Sequence, residues 1–180
     1  MESFRGLLVT IAAVSSTVAA QPRPAPPNLL DQAAQSVGVR QCLPAISRLS
    51  ALAVGGGRGH DVLIDWDHAR PDAGPFFSLI GVNYQNQSIA ATVTAIPQPD
   101  GACTVAAERI SVAPFTCASI AEIELKGYSV TRLLPTFTVY TQPVDPGASV
   151  SLIDSPPGCL VIRRHVQYGW REPVPAAAAR

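Results

Sequence analysis

Four cysteines constrain the fold of this 180-residue chain more than any other sequence feature: Cys42, Cys103, Cys117 and Cys159. All four follow an N-terminal segment typical of a secretory signal, so we expect them to reach an oxidising compartment. An even number of cysteines in an exported chain predicts two disulfides. Zinc ligation is the rival interpretation, but the chain has no C-x-x-C pair and its three histidines are scattered. We therefore predict a disulfide-stapled fold without a metal site.

Residues 1–20 have the composition of a signal peptide. Arg5 and the free amine give a basic start, an apolar run extends over 6–14, and Ala20 stands where a signal peptidase prefers a small residue. We predict cleavage near Ala20 and a periplasmic or secreted location. The apolar run is too short to cross a bilayer as a stable helix, so no membrane span is expected after cleavage.

Three disulfide pairings are possible, and chain reach helps to rank them. If residues 103–112 form one straight strand, they span about 30 Å. The chain from 112 to 117 can return at most about 18 Å. A Cys103–Cys117 bridge then needs a bulge, a bend or an early strand end, because bridged Cα atoms lie within about 7 Å of each other. Among the three pairings, we favour Cys42–Cys103 with Cys117–Cys159.

The chain left after cleavage divides into three parts. Residues 21–27 form a proline-rich leader that we expect to be flexible, and residues 171–180 form a tail that we also expect to be flexible. Residues 28–170 are predicted to form a single α+β domain, with a length that suits one substantial core. The sequence shows no internal repeat.

Two helices are predicted at the start of this domain. Asn28 is a suitable N-cap, apolar residues follow at helical spacing, and Gly38 ends the first helix. The second helix begins near Leu43, because Pro44 fits a first helical turn, and ends at the glycines of 55–57.

The segment 117–126 is ambiguous. Its second half alternates as a strand does, but Thr116 is a suitable cap, Gly127 a suitable stop, and the segment contains no helix breaker. We favour a helix.

The rest of the domain has the β-branched and aromatic content of strands. The predicted strands are 60–68, 76–84, 88–96, 102–112, 137–141, 149–153 and 159–168. We predict an α+β fold in which N-terminal helices pack on an antiparallel sheet of about six to seven strands. A β-sandwich with a helical lid is the alternative.

The last predicted strand, CLVIRRHVQYGW, contains the candidate binding residues Arg163, Arg164 and His165. We expect Leu160, Ile162, Val166 and Tyr168 to point inward, with Arg164 interrupting their row. An inward arginine needs a partner, and Glu122 or Glu124 could supply it if 117–126 is a helix over that face. Arg163 and His165 would then point outward, where they could meet an acidic partner.

Phe76 and Phe77 are adjacent in a predicted strand, so they must point to opposite faces. Either one of them is exposed, which marks an interface, or a second core layer covers it.

Composition and motifs limit the possible functions. Thirteen basic residues balance thirteen acidic ones, which gives no support for nucleic-acid binding. The chain has no G-x-S-x-G elbow, no P-loop and no EF-hand pattern, so we predict no catalytic residues and no cofactor.

These features favour a small exported, non-enzymatic binding module that recognises a protein or a cell-envelope component. A periplasmic hydrolase without a recognisable motif, or a structural part of an envelope assembly, is the alternative.

Overall fold

The computed structural model describes residues 28–172, which form three helices and eight strands. The helices are α1 (Leu29–Ser36), α2 (Leu43–Val54) and α3 (Cys117–Glu124). The strands are β1 (Gly59–Trp66), β2 (Phe76–Asn83), β3 (Ser88–Pro97), β4 (Cys103–Ala113), β5 (Ser129–Leu134), β6 (Phe137–Gln142), β7 (Asp145–Ser155) and β8 (Gly158–Trp170). All neighbouring strands are antiparallel, which confirms the α+β class with an antiparallel sheet.

Two details of the predicted fold are wrong. Residues 28–172 contain eight strands rather than six to seven, because β5 was not predicted; its residues are exposed along the whole strand and show no buried alternation. The strands of this range also lie in one sheet, so the β-sandwich alternative does not describe it. The helical interpretation of 117–126 is confirmed, with Thr116 Oγ1 accepting a hydrogen bond from Ser119 N at 3.2 Å.

The strand order in the sheet is β1-β2-β3-β4-β8-β7-β6-β5. Each half of the described chain therefore runs from helix to four consecutive antiparallel strands, and the two halves meet where β4 pairs with β8. This repeated order of elements was not visible as a sequence repeat.

The first half is built around α1 and α2. Asn28 Oδ1 accepts a hydrogen bond from Leu30 N at 3.1 Å and another from Ser50 Oγ at 2.7 Å, so the cap of α1 also contacts α2. Leu30 of α1 and Ile46 of α2 are fully buried. They pack in one cluster with the alternate residues of the strands, such as Val93.

The second half has a smaller core under α3. Ile120 packs with Val150, Leu152 and Val161. Residues that are directly opposite on neighbouring strands share a face, and the pairing from β3 through β4 and β8 to β7 places these valines on the same face as Val93. All three helices therefore cover one face, which we call the helix-covered face.

Both predicted disulfides are confirmed. Cys42 is bonded to Cys103 and Cys117 to Cys159, with Cα–Cα distances of 5.8 and 5.0 Å. Cys42 is the N-cap of α2 and Cys117 the first residue of α3, while their partners lie at the beginning of β4 and β8. Each bridge therefore ties the start of a helix to the start of a central strand, once in each half.

The opposite face of the sheet carries no helix of the described range, and we call it the open face. It contains Phe77, which is 46 % exposed, whereas Phe76 on the helix-covered face is 1 % exposed. The expectation that these two side chains separate is confirmed, with Phe77 on the exposed side.

Three predicted segments lie outside the described residues, wholly or in part: the signal peptide 1–20, the leader 21–27, and the tail from residue 173 onwards. Within residues 28–172, no helix is both long and apolar enough to cross a membrane.

Candidate functional site

A cleft of about 290 Å³ lies on the helix-covered face, between α2 and the central strands. It occupies the place where the helical layer is interrupted, because α2 packs on β3 and β4 whereas α3 packs on β7 and β8. β4 and β8 form its floor with alternate residues: Ala107, Arg109, Arg163, His165 and Gln167.

All three candidate binding residues border this cleft. Arg163 and His165 stand on its floor, and Glu124 at the end of α3 forms an ion pair with Arg163. Arg164 belongs to the opposite row, where its Nε lies 3.3 Å from Glu108 Oε1 on β4. The structure therefore brings Arg163 and His165 together and separates Arg164 from them.

The predicted facing of β8 is wrong. Val161 is buried on the helix-covered face, whereas Tyr168, which was expected inside, is 79 % exposed. Both rows of the strand are partly apolar because the open face is apolar as well, so alternation alone could not say which row a helix covers. For the same reason Glu124 meets Arg163 rather than Arg164.

Arg109 is a site residue that the sequence did not indicate. It lies directly opposite Arg163 in the pairing of β4 with β8. Like charges in this position are destabilising unless each has another partner. Arg109 extends over the ring of Tyr84, with its guanidinium carbon 5.2 Å from the ring centre, while Arg163 turns to Glu124. The two guanidinium groups thus have partners on different elements and stand on either side of the cleft floor.

The wall of the cleft comes from α2 and combines one further base with apolar groups. Arg48 stands beside Leu49 and Leu52, and Trp170 at the end of β8 joins them. Leu49 and Trp170 are buried, but Leu52 is 68 % exposed at the rim. The cleft therefore offers basic groups and apolar surface to the same ligand.

A second recess, of about 460 Å³, lies between the start of α1 and the glycine-rich segment 55–59. Asp31 borders it, and Asp31 Oδ1 is buried without a hydrogen-bond partner among the described residues. Burial raises the pKa of the Asp31 carboxyl, and a hydrogen bond from Ser47 opposes this effect. His60 Nε2, at the same recess, accepts a hydrogen bond from Leu29 N at 3.3 Å.

Neither recess has the ligand set of a metal centre. Within residues 28–172, no group of three or more His, Cys, Asp or Glu side chains is arranged to hold a metal ion. The donors that converge on the first cleft are guanidinium groups, which bind carboxylates and phosphates rather than cations.

No protein family model, no curated protein and no solved structure matches this chain. The cleft and the surfaces of the molecule itself therefore carry the functional inference.

Proposed function

We propose that this protein is a small exported binding module that recognises an acidic segment of a partner protein through the cleft between α2 and the central strands. The observation that carries this proposal is the direct opposition of Arg109 and Arg163 on the cleft floor. Arg109 over Tyr84 and Arg163 beside Glu124 leave N–H groups available at the cleft floor, so a carboxylate that enters the cleft would gain charge-assisted hydrogen bonds from two bases.

The apolar part of the cleft defines the second half of the ligand. Leu49, Leu52 and Trp170 present hydrocarbon beside the bases. An acidic residue next to a large apolar residue in the partner would satisfy both parts, since the apolar side chain gains burial and the carboxylate orients the segment.

The two disulfides support an extracytoplasmic location for this activity. Cross-links of this kind persist in the periplasm and outside the cell and are rare in the cytosol. The N-terminal signal-like segment is consistent with the same location, and the protein is accordingly proposed to act after export.

An array of twelve-residue peptides tests the recognition directly. One set combines Glu with Leu, and the matched set replaces each Glu by Gln. We expect the mature protein to bind the acidic set, more weakly as salt is raised, and to bind the Gln set little. Equal binding of both sets would contradict the proposal.

Substitutions locate the binding on the protein. Arg109→Gln and Arg163→Gln should each weaken binding of an acidic peptide roughly tenfold to hundredfold, as expected for losing a charged hydrogen bond. Arg132→Gln is the matched control, because Arg132 is exposed on β5 at the sheet edge. An unchanged affinity in both cleft variants would exclude this cleft as the binding site.

A pull-down from periplasmic extract extends the test to the natural partner. The mature chain should retain a protein that the Arg109→Gln, Arg163→Gln double variant does not retain, whereas the Arg132→Gln control should retain it. If the double variant captures the same protein equally well, recognition lies elsewhere on the surface.

A further inference from the structure

We infer that the open face binds a second copy of this chain, so that two sheets pack face to face in a symmetric dimer. The cleft lies on the other side of the sheet, and the inference is therefore independent of what the cleft binds.

The open face carries partly exposed apolar side chains together with polar ones such as Thr92, Thr94 and Ser149. Leu63, Phe77 and Leu79 are about half exposed on β1 and β2, at 62 %, 46 % and 48 %. Strand pairing puts further apolar residues on the same face: Ile96, Ile110, Val112, Phe137, Val139, Ile153, Leu160, Ile162 and Val166. Soluble monomers rarely expose apolar patches larger than a few hundred Å².

The size of this face matches what a stable dimer buries. Eight strands spaced about 4.8 Å apart, with some six residues of each at about 3.3 Å, cover on the order of 700 Å². A standard protein interface buries about 800 Å² on each partner. Two such faces, packed about 10 Å apart as in a β-sandwich, would bury the apolar side chains of both copies.

The charges on the open face select a second copy as the occupant. Glu108 of β4 and Arg164 of β8 lie directly opposite each other and form an ion pair. β4 and β8 are the two central strands, with three further strands beyond each of them. Consider a two-fold axis that runs parallel to the strands, midway between the two packed sheets and level with the gap between β4 and β8. This axis places Glu108 of each copy against Arg164 of the other copy. The face is therefore electrostatically complementary to itself.

The same axis fixes which strands of the two copies face each other. It places β3 against β7 of the other copy and β2 against β6, so Thr92 meets Ser149 and Leu79 meets Thr141 at the level of the central charges. Along β4 and β8 the central charges lie between two apolar pairs, Ala106 with Val166 and Ile110 with Ile162, while the hydroxyl side chains of Thr92 and Ser149 lie beside them.

Mass measurement of the mature chain tests the association. Sedimentation equilibrium between 1 and 100 μM should give twice the monomer mass over the upper part of that range. A monomer at 100 μM would overturn the inference.

Leu79→Ser tests the face, with Ile123→Ser as its control. Leu79 lies on the open face, whereas Ile123 is 81 % exposed on α3. The substitution is present in both copies, so the dimer interface loses two leucine side chains. From the transfer free energy of leucine, Leu79→Ser should raise the dimer dissociation constant about a hundredfold. Ile123→Ser should leave it unchanged. Equal dimerisation of the two variants, both folded by circular dichroism, would overturn the inference.

Charge reversal tests the two-fold axis. Glu108→Arg gathers four arginines at the centre of the interface and should abolish the dimer. The stability of the monomer should change little, because the ion pair that it loses is exposed. The exchange Glu108→Arg with Arg164→Glu restores all four pairings and should restore the dimer. A folded exchange variant that stays monomeric would contradict the proposed axis.

Discussion

Asp100 and Arg171 join two distant parts of the chain: Arg171 Nη2 donates a hydrogen bond to Asp100 Oδ2 at 2.7 Å. Asp100 belongs to the turn between β3 and β4, and Arg171 directly follows β8. The other oxygen, Asp100 Oδ1, accepts a hydrogen bond from Ala102 N at 3.0 Å.

These contacts predict that the folded protein loses stability in acid. The Ala102 N–H and the neighbouring Arg171 guanidinium lower the pKa of Asp100 below its ordinary value of 3.8. The folded protein then binds this proton more weakly than the unfolded chain, so the stabilisation is present above pH 3.8 and is lost as pH falls below it. In Asp100→Asn, the melting temperature should fall less steeply between pH 4 and pH 2 than in the parent protein. Thermal melts followed by circular dichroism measure this, with Asp145→Asn as control; parallel curves for Asp100→Asn and the parent would contradict the assignment.

Asp31 predicts that the stability of the fold changes with pH in the opposite direction. Burial raises its pKa above the ordinary value of 3.8, so the folded protein binds this proton more tightly than the unfolded chain. Its contribution to stability is therefore greatest at low pH and declines as pH rises through the raised pKa. Asp31→Asn should melt at an equal or higher temperature than the parent at pH 7, with the difference shrinking below pH 3.8. A clearly lower melting temperature at pH 7 would show that the charged carboxylate stabilises the start of α1.

Phe76 and Phe77 give a paired test of the two faces. Phe76→Ala removes a fully buried ring and should destabilise the fold by about 3–5 kcal/mol. Phe77→Ala should cost the isolated chain much less, because its ring is already half exposed. Urea unfolding at low protein concentration measures both; similar midpoints for the two variants would mean that both faces are equally covered.

The disulfides should stabilise the fold mainly by restricting the unfolded chain. They close loops of 61 and 42 residues. The loop-closure relation gives about 4 kcal/mol for each. Reduction should lower the melting temperature by many degrees, and the Cys117→Ala, Cys159→Ala variant should accelerate hydrogen exchange in α3 before the β1–β4 half, since α3 covers the smaller core. Detection of four free thiols in protein exported to the periplasm would contradict the predicted cross-linking.

The sequence was sufficient for features that depend on local chemistry or chain reach. The caps at Asn28 and Thr116 formed as predicted, and the distance that residues 103–117 can cover correctly disfavoured a Cys103–Cys117 bridge, although it left two of the three pairings open. β5 could not be predicted in this way, because it is an exposed strand held by backbone pairing with β6.

The candidate site depended on long-range pairing that no local pattern reveals. Arg163 and His165 could be selected from an unusual row of residues on one strand. Arg109 joins them only because β4 pairs with β8 in a particular register, and Arg48 only because α2 packs above that pair. β8 also puts apolar residues on the open face, such as Leu160 and Ile162, which removed the contrast that would have shown which of its sides lies under the helices.

The placement of the cross-links has a consequence for proteolysis. Cys42–Cys103 closes within the first half and Cys117–Cys159 within the second, so neither spans the connection at 114–116. A single cut there would leave two fragments with no covalent bond between them. They would migrate together in native buffer and come apart in denaturant without any reducing agent.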